Sequence, residues 1–164
     1  MVRTFRVTEQ QTVALARALA SQAKAGDTLL LHGPVGAGKS VFSRAFIRAV
    51  LNDATAEIPS PSFTLVQTYF GPACEIWHAD LYRLSSPDEV SELGLDDVFA
   101  DVISLVEWPD KLADLTPDRH LVLNLQPVIE NADLRDASVD YAGPGWDTAR
   151  HAVDVLAQRL DHIE

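Results

Sequence analysis

The alternation of apolar and polar residues in the first part of the chain predicts a strand, a helix and a second strand. Phe5–Val7 has the pattern of a short strand, and Thr8 with Gln11 forms a capping box that starts a helix. Gly26 is a stop signal for that helix. The short apolar run Thr28–His32 is typical of a buried strand.

A longer helix is predicted from Lys39 to about Leu51. Its apolar residues recur at i, i+3, i+4, i+7 and i+8, which places one apolar stripe along the helix: Phe42, Ala45, Phe46, Ala49 and Val50. The prolines in Ile58–Ser62 exclude a regular helix there. Phe63–Phe70 is rich in residues that favour strands, so we predict a strand over that range.

Helix and strand signals continue to alternate in the second half. Ser86, Pro87 and Glu89 predict a helix start with a capping box, and that helix should stop near Gly94. A final helix is predicted from about Thr148. Four further apolar segments are predicted as strands: Glu75–Ala79, Val102–Val106, Leu121–Leu125 and Ala137–Tyr141.

This order of elements predicts an α/β fold. Alternating strands and helices favour a largely parallel sheet. The last two strands follow one another without a helix between them, which indicates an antiparallel edge. The length of 164 residues and the apolar fraction of 47% fit one globular domain spanning residues 1–164.

Composition narrows the classes of function. The net charge is −11, and a chain this acidic is a poor candidate for holding RNA or DNA on its own, because nucleic-acid affinity relies on Lys and Arg. Cys74 is the single cysteine, which excludes an intrachain disulfide. No apolar stretch approaches the roughly 20 residues of a membrane helix, and the N-terminus lacks the apolar core of a signal peptide. We expect a cytoplasmic protein.

The segment Gly33-Pro34-Val35-Gly36-Ala37-Gly38-Lys39-Ser40 matches the phosphate-binding loop pattern G-x-x-x-x-G-K-[ST]. Its position between a predicted strand and a predicted helix is the context that the motif requires, and it indicates a P-loop NTPase-like, three-layer fold. Backbone N–H groups of such a loop point at phosphates, the lysine reaches the β- and γ-phosphates, and the hydroxyl ligates Mg²⁺. We predict nucleotide contacts from Gly33, Val35, Gly36, Ala37, Gly38, Lys39, Ser40 and Val41.

Two acids are candidates to complete a magnesium site, because a P-loop site usually takes a second acid from the end of a neighbouring strand. Glu107 follows the clean apolar run Val102–Val106, and Asp80 follows the more mixed run Glu75–Ala79. Both are predicted at the metal, and Asp80 has the alternative roles of orienting water or holding Ser40. The catalytic candidates are Lys39, Asp80 and Glu107.

For three further residues, we consider both a functional and a purely structural role. Thr64 follows a rigid proline-containing turn, so its hydroxyl is a candidate to sense the γ-phosphate, or it is an ordinary strand threonine. Trp108 is expected close to the metal and also fits a packing aromatic. His78 is interpreted as structural rather than catalytic.

Several classes of P-loop protein do not fit. The N-K-x-D guanine motif is missing, and Asp80-Leu81-Tyr82-Arg83 lacks the glycine of a D-x-x-G switch, which argues against a GTPase. A small-molecule kinase usually has an arginine-rich lid, whereas only Arg83 lies near the proposed site. Two alternatives to an ATPase nevertheless stay open: a small-molecule kinase, and a nucleotide-switched binding module with negligible hydrolysis.

Four blocks together resemble the TsaE family, formerly called YjeE, over about residues 8–135. They are the P-loop Gly33–Ser40, Ser60–Val66, His78–Leu84 and Leu105–Pro109, in matching order and spacing. The resemblance implies an ATPase needed to make N6-threonylcarbamoyladenosine at position 37 of tRNA, acting with TsaB and TsaD. Contact with tRNA would then be indirect, through those partners.

The resemblance also implies roles for particular residues. Ser40 and Glu107 would hold Mg²⁺, Asp80 would take part in ATP hydrolysis, and Thr8 and Glu9 would lie near the adenine. Pro34, Ser40 and Ser62 depart mildly from the common family residues, and the Ser40 hydroxyl is kept. Asn131-Ala132 stands where the family often has Gly-Arg, so the sequence offers no support for a nucleotide contact from this region.

Overall fold

The computed structural model describes residues 2–161. Its elements, in chain order, are β1 Arg3–Val7, α1 Glu9–Ala20, β2 Thr28–His32, α2 Lys39–Leu51, β3 Val66–Phe70, β4 Glu75–Asp80, α3 Pro87–Glu92, α4 Leu95–Val98, β5 Ile103–Glu107, a 3₁₀ segment Pro109–Leu115, β6 His120–Val128, β7 Asn131–Ala142 and α5 Asp147–Asp161.

The seven strands form one sheet in the order β1-β7-β6-β2-β5-β4-β3. The four central strands, β6, β2, β5 and β4, are parallel to one another. The predicted mostly parallel sheet is therefore confirmed, and so is the antiparallel edge, where β7 runs antiparallel to β6 on one side and to the outermost strand β1 on the other. The opposite edge is antiparallel as well, because β3 returns beside β4 through a hairpin at Gly71-Pro72.

Helices cover both faces of the sheet, which gives three layers. Leu29 and Leu31 of β2 pack into a core with Phe42 and Phe46 of α2, and this core also takes in α1 and α5. Leu30, which points to the other face, packs into a second core formed with α3, α4 and the 3₁₀ segment. This alternation explains why β2 is a continuous apolar run: both of its faces are buried.

The parallel strands bring the candidate chemistry to one edge of the sheet. Glu107 at the end of β5 lies in register with Leu31 of β2 on one side and with Asp80 of β4 on the other. The glycine-rich loop leaves the same end of β2. In open α/β sheets this carboxyl edge is where ligands bind.

The start of α1 is confirmed, but its end is not where the glycine predicted. Thr8 Oγ1 accepts from the Gln11 N–H at 3.2 Å, and Gln11 Oε1 accepts from the Thr8 N–H at 2.8 Å. The helix ends at Ala20, with Ser21 at its C-cap. Gly26 lies in a later turn, where its N–H donates to the Val102 carbonyl oxygen just before β5, so it does not end α1.

Two further local predictions were wrong. The Glu89 carboxylate accepts from the Ser85 N–H at 2.9 Å, so Ser86 caps α3 without the predicted box. The strand predicted from Phe63 begins only at Val66, because the preceding residues form a turn and Leu65 has a φ of +69°. None of the helices described within residues 2–161 is long and apolar enough to cross a bilayer.

Candidate functional site

The loop between β2 and α2 has a backbone that requires its glycines. Gly33 has a φ of +145°, and a Cβ there would lie 2.4 Å from the Leu125 carbonyl oxygen. Gly38 has a φ of +104° and is the N-cap of α2, without a side chain to cap the helix. The first N–H groups of α2 are therefore free of a capping side chain, and the positive end of the helix dipole faces the loop.

Lys39 is buried and points back at its own loop. Its Nζ donates to the Gly33 carbonyl oxygen at 2.6 Å and lies 4.0 Å from the centroid of the Trp108 ring. Burial lowers the pKa of Lys39, while the charges of Glu107 and Asp80 act in the opposite direction. A phosphate oxygen is a stronger acceptor than a peptide carbonyl for an ammonium group, so an arriving phosphate can take over this hydrogen bond.

The two candidate acids lie side by side at the strand ends but have different surroundings. Glu107 is only 5% exposed, and its Oε2 is 3.0 Å from His78 Nε2. Asp80 is half-buried, and its Oδ1 accepts from the Tyr82 N–H at 3.0 Å. Its Oδ2 accepts from the Ser62 hydroxyl at 3.4 Å, so the hydroxyl held by Asp80 is that of Ser62 and not that of Ser40.

These groups open into one cavity of about 630 Å³, a volume within the usual range for small-molecule sites. The cavity runs from the strand ends across the loop to the start of α1. Most of the residues that the sequence proposed for the site line it: Thr8, Glu9, Val35, Gly36, Gly38, Lys39, Ser40, Val41, Asp80, Glu107 and Trp108.

Three proposed residues are not part of the cavity wall. Gly33 and Ala37 support the loop, the first through its carbonyl to Lys39 and the second as a fully buried residue. Thr64 is exposed, and its hydroxyl accepts from the Gln67 side-chain amide at 2.8 Å. The structure therefore does not bring Thr64 to the place where a γ-phosphate contact was expected.

The β6–β7 hairpin reaches the cavity, contrary to the sequence expectation. Ala132, Asp133 and Arg135 line it. The Arg135 guanidinium donates to the Ala37 and Gly36 carbonyl oxygens, each at 3.1 Å, and so fastens the hairpin to the phosphate loop. No local motif marks this contact, because it joins residues almost a hundred positions apart.

Four smaller side chains were also missed by sequence reasoning. Ser60 and Ser62 line the cavity beside Asp80, and their hydroxyls are 2.6 Å apart. Gln10 and Thr12 line it from α1. The Pro-Ser-Pro-Ser turn was the available signal for the serines, because its prolines restrict the backbone that carries the two hydroxyls.

The donor set fits a magnesium ion. The Ser40 hydroxyl and the Glu107 and Asp80 carboxylates are hard oxygen donors on the wall of one cavity. Within residues 2–161 no group of three or more His, Cys, Asp or Glu side chains forms a metal cage. Mg²⁺ is usually held by one or two carboxylates together with phosphates and water, so these residues suit a nucleotide-bound magnesium.

Trp108 forms part of the cavity wall in an uncommon backbone conformation. Its φ is +57°, and its ring contacts both the Lys39 ammonium and the Tyr82 ring, whose centroid is 4.9 Å away. A non-glycine residue in the left-handed region costs free energy, and such residues cluster at functional sites. The conformation turns the indole over Lys39 directly after Glu107.

Comparisons with known proteins agree on one family. Residues 7–135 match the family model described as "Threonylcarbamoyl adenosine biosynthesis protein TsaE". The chain is similar to tRNA threonylcarbamoyladenosine biosynthesis protein TsaE from Rickettsia bellii, with 35% identity over 139 residues, covering 85% of this chain and 96% of the relative. The same-named protein from Bacillus subtilis is 33% identical over 140 residues, covering 85% and 84%.

A solved structure shares the fold. The crystal structure of YdiB from Bacillus subtilis superposes on 97% of this chain and 97% of its own, with a TM-score of 0.72 and 27% sequence identity. The similarity in fold therefore covers nearly the whole chain.

Proposed function

The chain belongs to the TsaE family, and on this premise we propose that it is a Mg²⁺-dependent ATPase that acts with TsaB and TsaD in making N6-threonylcarbamoyladenosine at position 37 of tRNA. We further propose that residues 1–164 work as one ATPase domain in the cytoplasm.

One observation carries the ATPase proposal. The phosphate loop with Lys39 and Ser40 opens into the same cavity as Asp80 and Glu107, which end two neighbouring parallel strands. A phosphate loop alone binds a triphosphate. Two carboxylates beside it add what hydrolysis needs, which is a metal ligand and a group that positions water.

We assign the phosphate end of the cavity as follows. Backbone N–H groups of the loop and the Lys39 ammonium hold the β- and γ-phosphates. Ser40 and Glu107, with Asp80 as a further oxygen donor, are the residues proposed to hold Mg²⁺. When bound, the metal neutralises charge on the phosphate oxygens. The attacking water is oriented by one of the two acids, Asp80 or Glu107.

The other end of the cavity suits the nucleoside. Thr8 and Glu9 line it from the start of α1, and Val35 and Val41 add apolar surface. We propose that the adenine lies between these residues. Selectivity for ATP over GTP is supported by the absence of an N-K-x-D motif from the sequence.

The acidity of the chain supports a division of labour with its partners. A net charge of −11 disfavours direct binding of the tRNA phosphate backbone. We propose that this chain supplies nucleotide-driven change while TsaB and TsaD hold the tRNA. Tight binding of tRNA by the isolated chain at physiological salt would contradict this division.

Phosphate release tests the coupling to partners. We expect slow release from ATP by the chain alone and faster release when TsaB, TsaD and tRNA are added. The matched control is the Lys39→Ala variant with the same partners, which shows any release that does not come from this site. Release that is fast in isolation and unchanged by the partners would refute the coupling.

The two alternatives have their own signatures. For a small-molecule kinase, γ-labelled phosphate would appear on a metabolite and not in water. For a switch with negligible hydrolysis, a non-hydrolysable ATP analogue would support partner binding and every later step as well as ATP does. We expect label in inorganic phosphate, and a difference between ATP and the analogue.

A further inference from the structure

The buried residue His78 contacts Glu107, the acid that ends β5. His78 lies on β4, two residues before Asp80, and Glu107 lies on the neighbouring strand β5. His78 Nε2 is 3.0 Å from Glu107 Oε2, and the two residues are 3% and 5% exposed. This is a buried hydrogen bond made by a residue with no part in the chemistry assigned above.

Because a metal-ligating Glu107 must be ionised, its contact with His78 assigns the ring nitrogen that carries the proton. A carboxylate oxygen can only accept, so the His78 nitrogen that faces it must be the one that donates. In a neutral ring the proton is then on Nε2, and Nδ1 is an acceptor. Nδ1 is buried and has no hydrogen-bond partner among the described residues.

A second, small cavity also borders this histidine. It measures about 10 Å³ and is lined by His78, Ser40 and Ser60 among others. That volume is close to the smallest that holds one water molecule, and the polar residues of its wall are Ser40, Arg44, Ser60 and His78. His78 therefore borders the same small cavity as Ser40 of the phosphate loop, in addition to its hydrogen bond with Glu107.

We propose that His78 is a positioning residue for Glu107. It donates Nε2–H to one carboxylate oxygen and thereby fixes the orientation in which that carboxylate meets the nucleotide cavity. Outer partners of this kind orient metal-ligating carboxylates, and their loss typically lowers metal affinity or activity by about 10- to 100-fold. The inference rests on the proposed function in one respect, which is that Glu107 acts on Mg·ATP.

Two substitutions of similar polarity separate this role from packing. In His78→Gln the side-chain amide nitrogen can occupy the place of Nε2 and donate to Glu107. In His78→Asn the shorter amide reaches only the place of Nδ1 and leaves Glu107 without its donor. His78→Leu removes both nitrogens, and His120→Gln is the control, since His120 on β6 bonds the Pro117 carbonyl oxygen outside the cavity.

Two measurements on the full chain apply to these variants. We expect kcat for ATP hydrolysis to fall about 10- to 100-fold in His78→Asn and His78→Leu, with KM changed much less. The Mg²⁺ concentration that gives half-maximal binding of a fluorescent ATP analogue should rise by a similar factor. His78→Gln should stay within a few-fold of the wild type, and His120→Gln should equal it.

A spectroscopic readout does not depend on hydrolysis. Long-range ¹H–¹⁵N spectra of the wild-type imidazoles should show a His78 ring with its proton on Nε2 and an unprotonated Nδ1. A proton found on Nδ1 instead would overturn the proposal, and so would Asn and Leu variants that keep the wild-type kcat and Mg²⁺ requirement.

The outcomes also keep this inference apart from the proposed function. If the wild type fails to hydrolyse ATP, the ATPase proposal fails, while the ring spectra and the Mg²⁺ requirement for analogue binding still decide the role of His78. Urea denaturation identifies a variant that does not fold. The role of His78 is then decided by comparing His78→Gln with His78→Asn, because both variants have an amide side chain at position 78 and only the glutamine reaches Glu107.

Discussion

Replacing Arg135 should weaken nucleotide binding without unfolding the protein. The Arg135 side chain joins the β6–β7 hairpin to the phosphate loop through the Gly36 and Ala37 carbonyl oxygens. It also bonds two carbonyls of its own hairpin, those of Ala132 at 2.7 Å and Leu134 at 2.8 Å. Arg135→Met keeps most of the aliphatic stem and removes every donor.

The size of the effect follows from the two bonds to the loop. A typical hydrogen bond contributes about 0.5–1.5 kcal/mol net, and the guanidinium is partly exposed, so the two together are worth about 1–3 kcal/mol. If that free energy holds the loop in its binding conformation, the loss appears in nucleotide affinity. It corresponds to a Kd for Mg·ATP raised roughly 5- to 150-fold.

Equilibrium titration measures this change, with the intrinsic fluorescence of Trp108 or calorimetry as the signal. The matched control is Arg6→Met, which removes an exposed arginine from β1. Arg6 pairs with Asp136, the neighbour of Arg135, at 2.8 Å, and so tests the loss of a nearby surface ion pair. Arg6→Met should leave the Kd unchanged. An Arg135→Met protein that is folded and binds Mg·ATP like the wild type would show that Arg135 does not hold the loop in its binding conformation.

Three other predictions concern the loop and the stability of the sheet. Gly33→Ala should abolish triphosphate binding in a folded protein, because the new Cβ would meet the Leu125 carbonyl oxygen at 2.4 Å, and calorimetry with a denaturation control checks this. Arg119→Met should lower the free energy of unfolding in urea by about 3–5 kcal/mol, because the buried Asp27 side chain loses its 2.6 Å contact with the guanidinium. A loss below about 1 kcal/mol would contradict this expectation. Burial raises the pKa of Tyr141 to about 12, whereas in the unfolded chain this hydroxyl loses its proton near pH 10. The free energy of unfolding of the wild type should therefore fall as pH rises from about 10 towards about 12. Tyr141→Phe should lose less stability over that range, and parallel curves for the two proteins would show that Tyr141 contributes nothing.

The elements and site residues that the sequence predicts well share a physical cause. Thr28–His32 and Val102–Val106 are continuous apolar runs because the central strands are buried on both faces, and the residue after such a run lies at the carboxyl edge of the sheet. Glu107 could be placed beside the phosphate loop for this reason, and Asp80, which follows the more mixed run Glu75–Ala79, could be placed there as the end of a second predicted strand. The phosphate loop is a local motif, and its glycines mark the positions where the backbone needs a positive φ.

The features that were missed depend on contacts between distant residues. Arg135 meets the phosphate loop only because the β6–β7 hairpin folds next to β2, and no local pattern encodes that register. His78 meets Glu107 through the parallel pairing of β4 with β5. The strand predicted to include Thr64 was wrong for a local reason. The residues around Thr64 favour a strand, but the Leu65 backbone adopts a left-handed conformation in a turn.

The most direct test of the central claim is the rate of phosphate release from ATP by the wild type, Glu107→Gln and Lys39→Ala, each measured with Mg²⁺ and with a chelator. We expect slow release by the wild type, and this release should require Mg²⁺. Release should fall roughly 10²- to 10³-fold in Glu107→Gln, and Lys39→Ala should fail to bind the triphosphate. Equal release by all three proteins, or release that persists in the chelator, would contradict an ATP-hydrolysing site at this cavity.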